Sequence, residues 1–398
     1  MKKLRRLYER LAEGVLFLCG NITGIVILLI ILFLFGEGVG FFGRTSVEEG
    51  YTLVLNKKNP IVTLSSREIK DIFDSEITSW EQVGGLEQDI VLFRLNDITN
   101  YVTEEELGED FEHIPACIGK IIYDNPEMIA FVPKAYIQEN FPGKELEVDK
   151  IGLLEFFGGT EWMPTAHPSA QFGILSLILG TLWVSLGAIL IALPLGIGVA
   201  IYLAEVAKKR VRNFLKPVIE LLAGIPSVVY GFFGLVVLVP FVQRTFDIPI
   251  GETGLAGAII LAIMALPTII TIAEDAMRTT PLAMKEASLA LGATRWQTVY
   301  RVVLPYASSG ITAAAILGIG RAIGETMAVL MVTGNAAVIP HTFLEPLRTI
   351  PATIAAELGE APKSSTHYQA LFLLGVILFI ITMIVNLSVE FIKKKKHE

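Results

Sequence analysis

The chain has 398 residues, of which 53% are hydrophobic and 18% are charged, and its mean hydropathy is +0.59. This composition is too apolar for a soluble protein and predicts several membrane-spanning helices. The net charge of -8 is unevenly distributed, because residues 44–163 carry 24 acidic and 10 basic side chains, a net of -14, and the rest carries +6. That contrast predicts an acidic domain on one side of a membrane and basic flanks on the other.

Six long apolar runs, each close to the roughly 20 residues needed to cross the hydrocarbon core, mark the predicted transmembrane helices. They comprise residues 14–36, 177–204, 217–242, 253–273, 309–332 and 368–389. The first run is too long for a signal peptide and no A-x-A site follows it, so a retained anchor is expected. The two cysteines, Cys19 in the first run and Cys117 in the acidic region, are not expected to pair.

The distribution of Lys and Arg predicts the orientation, because these residues accumulate in cytoplasmic flanks. Flanks that alternate correctly for six spans hold 18 of the 32 basic residues, including Lys208, Lys209, Arg210, Arg212, Lys216, Arg278, Lys285, Arg295, Arg301 and Lys393 to Lys396. Both termini are therefore expected in the cytoplasm of a prokaryote. The predicted organisation is a cytoplasmic N-terminus (1–13), a first transmembrane helix (14–36), an extracytoplasmic insert (44–165), a core of five transmembrane helices (172–391) and a cytoplasmic basic tail (392–398).

The insert alternates strand and helix patterns, which predicts a small α/β domain with its own core. Residues 51–55 and 90–93 are typical of strands. Residues 65–73 predict a helix that begins with Ser65 or Ser66 as its cap. The fold class expected for the whole chain is therefore an α-helical membrane protein with an α/β domain between its first two spans.

Two stretches of the insert, NPIVTLSSREIKDIFDSEITSWEQVGG (59–85) and DNPEMIAFVPKAYI (124–137), resemble parts of the PstS-type periplasmic phosphate-binding proteins. In that family an Arg and a Ser-Gly-Thr turn hold phosphate. Arg94 is present here, but Leu-Asn-Asp-Ile-Thr follows it, and Asp97 would repel an anion. The resemblance implies the fold of a binding-protein fragment without phosphate binding. A docking or gating role at the outer face and an inert acidic cap are both open.

Pro226 interrupts the predicted third span within LAGIPSVVYG. Proline frees a backbone carbonyl group, which a membrane tolerates only beside protein or a water-filled path. Ser227 and Tyr230 could line such a path. A packed kink whose polar groups are satisfied internally is the alternative.

A polar stretch, EASLALGATRWQTVYRVVLP, separates the fourth and fifth spans within residues 280–305. Thr280 and Pro281 predict the start of a helix. Gly292 can adopt the left-handed conformation that ends it. Thr294 can cap a second helix together with a glutamine three residues later. The segment therefore predicts a helix, a sharp bend and a second helix at the cytoplasmic surface.

The spacing of Glu286, Ala287, Ser288 and Gly292 before a Leu-Pro pair resembles the EAA loop of permease subunits of ABC-type importers. The resemblance implies a coupling helix that docks into a cleft on a separate ATPase subunit. An ordinary amphipathic cytoplasmic loop is the alternative interpretation.

Arg321 and Glu325 place two charges in the predicted fifth span. Counted from a helix start near Ser309, Arg321 lies about 18 Å along the axis, close to the bilayer midplane. Because a charge there is costly, it should face a cavity or a partner. Glu325 is expected one turn later on the same face, so an ion pair that only locks helix packing is one interpretation. The other is an oxyanion path, in which the guanidinium binds phosphate oxygens and the carboxylate accepts a hydrogen bond from protonated phosphate.

The run GIGRAIGETMAV, which contains both charges, resembles the corresponding helix of PstC-type phosphate permeases, and residues 222–231 resemble that family too. The resemblance implies that phosphate passes Arg321 and Glu325. It also implies three protein partners: a PstB-like ATPase dimer, a PstA-like second permease subunit and a PstS-like extracytoplasmic binding protein.

The sequence has no G-x-x-x-x-G-K-[ST] loop, so ATP hydrolysis is expected in another polypeptide. The five histidines show no metal-binding spacing, and no nucleophile motif occurs, so neither an enzyme activity nor a metal or cofactor is expected. The sequence predicts the permease subunit of an ATP-driven phosphate importer. A permease for sulfate or molybdate, and a membrane phosphate sensor without transport, are the alternatives.

Overall fold

The computed structural model describes residues 2–108, 111–138 and 140–395, with side chains described only between residues 13 and 388. The basic N-terminus and the basic tail at 392–398, both predicted to be cytoplasmic, therefore lie outside the described side chains. The chain divides into two compact units. The membrane unit comprises Met1–Glu37, Leu175–Glu360 and Leu371–Glu398, and the insert unit comprises Gly38–Ile174 and Ala361–Ala370.

The described residues form sixteen α-helices and eight strands. The helices are α1 (Lys2–Val39), α2 (Ser66–Phe73), α3 (Glu104–Leu107), α4 (Ile114–Asp124), α5 (Leu153–Gly158), α6 (Leu175–Ile201), α7 (Lys209–Ala223), α8 (Ser227–Phe233), α9 (Val239–Phe246), α10 (Gly254–Arg278), α11 (Leu282–Ala290), α12 (Arg295–Thr298), α13 (Leu304–Gly324), α14 (Met327–Val332), α15 (Ile350–Glu357) and α16 (Thr366–Lys395). The strands are β1 (Tyr51–Asn56), β2 (Thr63–Leu64), β3 (Val91–Arg94), β4 (Met128–Pro133), β5 (Gly143–Glu145), β6 (Glu147–Val148), β7 (Trp162–Met163) and β8 (Gln171–Phe172).

The insert unit is built on a four-stranded sheet in the order β3-β4-β1-β5. β1 runs antiparallel to β4 and β5, and β3 runs parallel to β4. Since successive side chains of a strand point to opposite faces, Val54 enters a core under α4, whereas Leu53 and Leu55 enter a second core under α2. The insert unit therefore has apolar cores on both faces of one sheet.

The predicted start of the first insert helix is confirmed, with Ser65 as the cap of α2. The Ser65 backbone N–H donates to Glu68 Oε2 over 2.8 Å, and the Glu68 N–H donates to Ser65 Oγ over 3.3 Å. This reciprocal pair satisfies two amides that the helix itself cannot use.

Among the described residues, six helical segments are long and apolar enough to cross a membrane. They are Glu13–Gly43, Leu175–Val206, Ser227–Phe246, Gly254–Arg278, Arg295–Gly324 and Thr366–Ser388. The third and fifth segments include π-helical turns at Gly234–Leu238 and Val299–Val303. Together with the sheet of the insert unit, these segments confirm the predicted fold class.

The third span differs from its prediction. The apolar run that begins at residue 217 belongs partly to α7, and α7 ends at Ala223. The chain turns at Gly224, and Pro226 starts a new helix, α8. Hydropathy could not detect this break, because Gly224 and its neighbours are as apolar as the helices that they separate.

The fifth span is also corrected. The helix continues from the polar loop through α12 and a π-helical turn into α13, and it ends at Gly324 rather than at residue 332. Glu325 has an extended backbone, with φ -71° and ψ 134°, and α14 follows as a separate helix. Glycine and the extended residue after it stop the helix inside the apolar run.

The core of the membrane unit forms around α10, which packs against α6, α13 and α7. A Cβ atom at Gly310 would lie only 2.2 Å from the Cβ of Ala276. This glycine therefore permits the close approach of α13 to α10 that small residues provide in membrane helix contacts.

Candidate functional site

The polar loop after α10 folds as a helix, a sharp bend and a second helix, as predicted. α11 is followed by Gly292 with φ +85°, a left-handed conformation that glycine adopts without strain. The Thr294 N–H donates to Gln297 Oε1 over 2.8 Å, and the Gln297 N–H donates to Thr294 Oγ1 over 3.2 Å. The expected start is corrected in one detail: Pro281 itself is the residue before α11, and the Thr280 side chain does not cap the helix.

The four residues assigned to coupling lie in α11 and at the bend that follows it. Glu286, Ala287 and Gly292 are exposed, and Ser288 Oγ lies 3.0 Å from Thr298 Oγ1, which joins the two arms. A concavity of about 630 Å³ lies between the arms, lined by Met284, Ala287, Ser288, Leu291, Gly292, Ala293, Gln297, Arg301 and Val302. Ala287, Ser288 and Gly292 therefore line this recess, whereas Glu286 is exposed and is not part of its lining.

The segment formed by α11, the bend and α12 also exposes large apolar side chains. Leu291 is 89% exposed and Trp296 is 62% exposed, although both belong to a polar segment. Exposed apolar groups beside a recess, rimmed by polar residues, are typical of a protein interaction surface. We call this surface the coupling surface; it comprises α11, α12 and the turn between them.

An ion pair that the sequence analysis missed holds the coupling surface on the membrane unit. Lys285 Nζ of α11 lies 2.6 Å from Glu205 Oε1, at the cytoplasmic end predicted for the second span. Both side chains are less than a fifth exposed. The pair thereby joins α11 to the π-helical turn Tyr202–Val206, which follows α6.

A second missed feature is a buried carboxylate at the end of α10. Glu274 Oε2 lies 2.8 Å from Lys216 Nζ, and its Oε1 lies 3.5 Å from Arg278 Nη1 and 3.8 Å from Arg212 Nε. The Glu274 side chain is 1% exposed, so its charge must be compensated by these cations. The acidic pair that ends the fourth apolar run, beside a basic flank, was the available sequence signal.

The break before α8 explains the position of Tyr230. Pro226 has no N–H, so the Leu222 carbonyl cannot receive the amide donor that a continuous helix would provide. The Tyr230 hydroxyl donates to that carbonyl over 2.8 Å, and the residue is only 7% exposed. The Tyr230 hydroxyl thus forms a hydrogen bond across the break before α8. Ser227 begins α8 and is half-buried.

Arg321 lies three residues before the end of α13 and is half-buried. Counted from Leu304 it is about 25 Å along the helix at 1.5 Å per residue, which corrects the position expected from a start at Ser309. Within the described side chains, no carboxylate lies within salt-bridge distance of its guanidinium. The expected position of Glu325 on the same helix face is corrected, because Glu325 lies outside the helix, and the alternative of an ion pair with Arg321 has no support among the described side chains.

Glu325 instead stabilises the start of the next helix. Its Oε1 accepts a hydrogen bond from the Ala328 N–H over 3.4 Å. A carboxylate at this position also compensates the positive end of α14. Arg321 and Glu325 thus lie on the two sides of one break in the helix, and the guanidinium has no fixed partner among the described residues.

The two helix breaks are neighbours in the membrane unit. α8 packs on α14, and a Cβ atom at Gly231 would lie 3.0 Å from the Cα of Ala328. The Tyr230 hydroxyl is close enough to Arg321 for the charge to act on it electrostatically. The structure thus packs the helix that begins at Ser227 against the helix that follows Glu325, and non-helical backbone precedes each of them.

In the insert unit, the backbone amide and the guanidinium of Arg94 both donate hydrogen bonds to other residues of the chain. Its N–H donates to Asp97 Oδ2 over 3.1 Å, and one guanidinium nitrogen donates to the Phe73 carbonyl over 3.5 Å. The guanidinium carbon lies 5.6 Å from the centre of the Phe73 ring. An incoming anion would have to displace these contacts and approach the carboxylate of Asp97.

The fold, with six candidate spans among the described residues, defines an integral membrane protein. The profile of the family described as "Binding-protein-dependent transport system inner membrane component" matches residues 192–397, and the chain belongs to this family. A phosphate transport system permease protein PstC from Mesorhizobium japonicum is 42% identical over 264 residues, which cover 62% of this chain and 79% of the relative. These similarities confirm the predicted resemblance to PstC-type permeases.

Two solved structures are similar to parts of the chain more distantly. The inward-facing MetNI methionine ABC transporter is 21% identical, with a TM-score of 0.43, over 56% of this chain and 94% of that chain. An ABC-type phosphate transport receptor from Vibrio cholerae is 17% identical, with a TM-score of 0.20, over 27% of this chain and 49% of that chain. The PstS-like character of the insert stays a prediction.

Proposed function

We propose that the chain is the permease subunit of an ATP-driven phosphate importer and forms half of its transmembrane path. The observation that carries this proposal is the 42% identity to a phosphate transport system permease protein over 79% of that relative's length. The family match and the six candidate spans support a multi-pass membrane location. Both termini are proposed to lie in the cytoplasm, following the distribution of Lys and Arg.

The chain supplies no covalent chemistry in this proposal, and ATP is hydrolysed by a separate PstB-like dimer that binds the coupling surface. Leu291 and Trp296 provide the apolar contacts, and Glu286 lies on the exposed side of α11. When the ATPase subunits close on ATP, they move α11. The Lys285–Glu205 pair then carries the movement to the second span, and the two permease subunits rock as rigid bodies.

Phosphate is proposed to pass Arg321 at the break between α13 and α14. A guanidinium presents paired N–H donors that match phosphate oxygens. This one is half-buried and has no described carboxylate partner to compete with the anion. Glu325 lies across the break and can accept a hydrogen bond from a protonated phosphate oxygen, which sulfate does not offer. Ser227 and Tyr230 border this region, with Tyr230 holding the kink rather than binding the anion.

The remaining partners follow from the proposed importer. A PstA-like subunit provides the other half of the path, and a PstS-like protein delivers phosphate from outside. The insert unit is proposed to be a docking or gating element that does not bind phosphate, because Arg94 is engaged with Phe73 and Asp97.

The test is ATP-dependent uptake of radioactive phosphate by the complete complex in liposomes, with sulfate and molybdate as competitors. Arg321→Ala is expected to lower uptake about tenfold or more, because hydrogen bonds to charged groups contribute about 1.5–3 kcal/mol each. Arg244→Ala is the matched control, since Arg244 is exposed in α9 and should be dispensable. Uptake of sulfate in preference to phosphate would replace the proposed substrate, and failure to co-purify with an ATPase would favour a sensor.

A further inference from the structure

The short helix α5 of the insert unit presents an apolar side that nothing in the described chain covers. Leu154 is 91% exposed, Leu153 is 61% exposed and Phe157 is 44% exposed. Three exposed large apolar side chains on a six-residue helix form a larger apolar patch than is usual for a water-facing surface. Their exposure calls for an external apolar partner.

The opposite side of α5 is held firmly. Phe156 is fully buried, and its ring lies 5.0 Å from the ring of Phe41 and 5.6 Å from that of Phe42, measured between centroids. Phe41 in turn lies 5.3 Å from Phe172. This aromatic cluster fixes α5 so that Leu154 cannot turn inward.

The contacts of α5 connect it to the residues through which the chain leaves the first candidate span. Phe41 and Phe42 belong to the turn Gly40–Gly43, which ends the first candidate span. The Ile151 N–H, just before α5, donates to the carbonyl of Arg44 over 3.1 Å. The segment before α5 is therefore hydrogen-bonded to Arg44, the first residue after the first candidate span.

A second contact joins α5 to the residue that precedes the second span. The Ile174 N–H donates to the Phe156 carbonyl over 3.0 Å, and Leu175, the next residue, begins α6. A Cβ atom at Gly173 would lie 2.3 Å from the carbonyl carbon of Gly159, so only glycine permits this approach of the two backbones. α5 is thus attached to the residues that end one span and to those that precede the next.

We propose that α5 is an interfacial helix whose Leu153, Leu154 and Phe157 insert into the bilayer surface at the ends of the first two spans. A lipid surface is the favoured occupant because the apolar surface of the first span continues through the exposed Val39 to Phe42 and α5. Helices of this kind bury an apolar side at the boundary of head groups and acyl chains. Glu155 does not oppose this insertion, because it lines a cavity of the insert unit together with Arg67 and Lys70.

The test uses nitroxide labels on the full chain in nanodiscs of phosphatidylethanolamine and phosphatidylglycerol. Cys19 and Cys117 are first replaced by alanine, and single cysteines are then introduced as Leu154→Cys, Phe157→Cys or, as the control, Leu86→Cys. Leu86 is an exposed leucine of the same unit without ring contacts or hydrogen bonds to Gly40–Gly43. Since all three side chains are exposed, the substitutions should leave the fold intact.

Accessibility to oxygen, which concentrates in lipid, is compared with accessibility to a water-soluble nickel complex. The ratio of oxygen to nickel accessibility is expected to be severalfold higher at positions 154 and 157 than at position 86. Equal ratios at all three positions would show that α5 faces water and would overturn the proposal. Exclusion of both reagents from position 154 would also overturn it, since a protein partner would then cover the helix.

Discussion

Arg321 has a full positive charge inside a segment that crosses the membrane, and none of the described carboxylates pairs with it. A charged side chain at membrane depth costs about 2.5–3.5 kcal/mol on insertion scales. Buried charges elsewhere in this chain are compensated, as Glu274 is by Lys216. An anion in transit would supply the negative charge that the described residues do not provide beside Arg321.

Glu325→Gln separates the charge of Glu325 from its role in the fold. Glutamine keeps an oxygen at Oε1, so the hydrogen bond from the Ala328 N–H can persist and α14 should remain folded. Loss of the negative charge is expected to lower phosphate uptake and to let sulfate compete, because electrostatic rejection of the fully ionised anion is weakened. Uptake assays with competing sulfate measure both effects.

Glu220→Gln is the control for that experiment, since Glu220 is exposed and has no side-chain contact among the described residues. Phosphate uptake and sulfate rejection that are unaltered in Glu325→Gln would remove the proposed role in selectivity.

At the scale of elements, the Lys285–Glu205 ion pair joins the coupling surface to the end of the second candidate span. Lys285→Met is expected to destabilise the protein by about 1.5–3 kcal/mol, because the mostly buried Glu205 loses a charged hydrogen-bond partner. It should also lower the phosphate transported per ATP hydrolysed, since α11 can then move without the span. Melting curves and coupled uptake and ATPase assays measure the two effects.

The exchange Lys285→Glu with Glu205→Lys restores opposite charges at the same positions. It is expected to recover most of the stability and coupling lost in either single variant. An exchanged pair that remains as uncoupled as Lys285→Met would mean that the contact does not transmit movement.

The elements α7 and α10 are joined by Lys216, whose protonation makes this contact pH-dependent. Burial lowers the pKa of Lys216, but hydrogen bonds and attraction from Asp275 and Glu274 outweigh it and raise the pKa above 10.5. A raised lysine pKa stabilises the folded state fully below 10.5, and this stabilisation is lost as the pH rises through the folded-state pKa.

Melting temperatures of the wild type and of Lys216→Met should therefore differ at neutral pH and converge above pH 10.5. Lys208→Met is the control, because Lys208 is exposed and should change the melting temperature at no pH. A difference between wild type and Lys216→Met that is constant with pH would show that packing, rather than the charge, holds α7.

At the scale of the whole molecule, the insert unit and the membrane unit are proposed to divide their tasks, with anion recognition only in the membrane. Arg94→Ala in the complete complex is accordingly expected to leave the KM for phosphate uptake unchanged. The comparison variant is Arg321→Ala, measured in the same assay. A clear rise in KM for Arg94→Ala would show that the insert takes part in phosphate binding, despite the contacts of Arg94 with Phe73 and Asp97.

The sequence by itself determined the features that depend on neighbouring residues. The apolar runs, the helix caps at Ser65 and Thr294 and the bend at Gly292 were all predictable, because each arises from run length or from hydrogen bonds within about four residues. The two helices and the bend within residues 280–305 were predictable for the same reason.

Only the tertiary structure decided what depends on residues far apart in the chain. Glu205 and Lys285 are 80 residues apart, and no local pattern links them. The ends of the third and fifth spans were misplaced because the residues around Gly224 and Gly324 are apolar enough to continue a span. Pro226 predicted an interruption of the third span, but only the structure shows that α7 ends at Ala223 and that α13 ends at Gly324. The packing of α8 against α14 then determines which groups Arg321 and Tyr230 can reach.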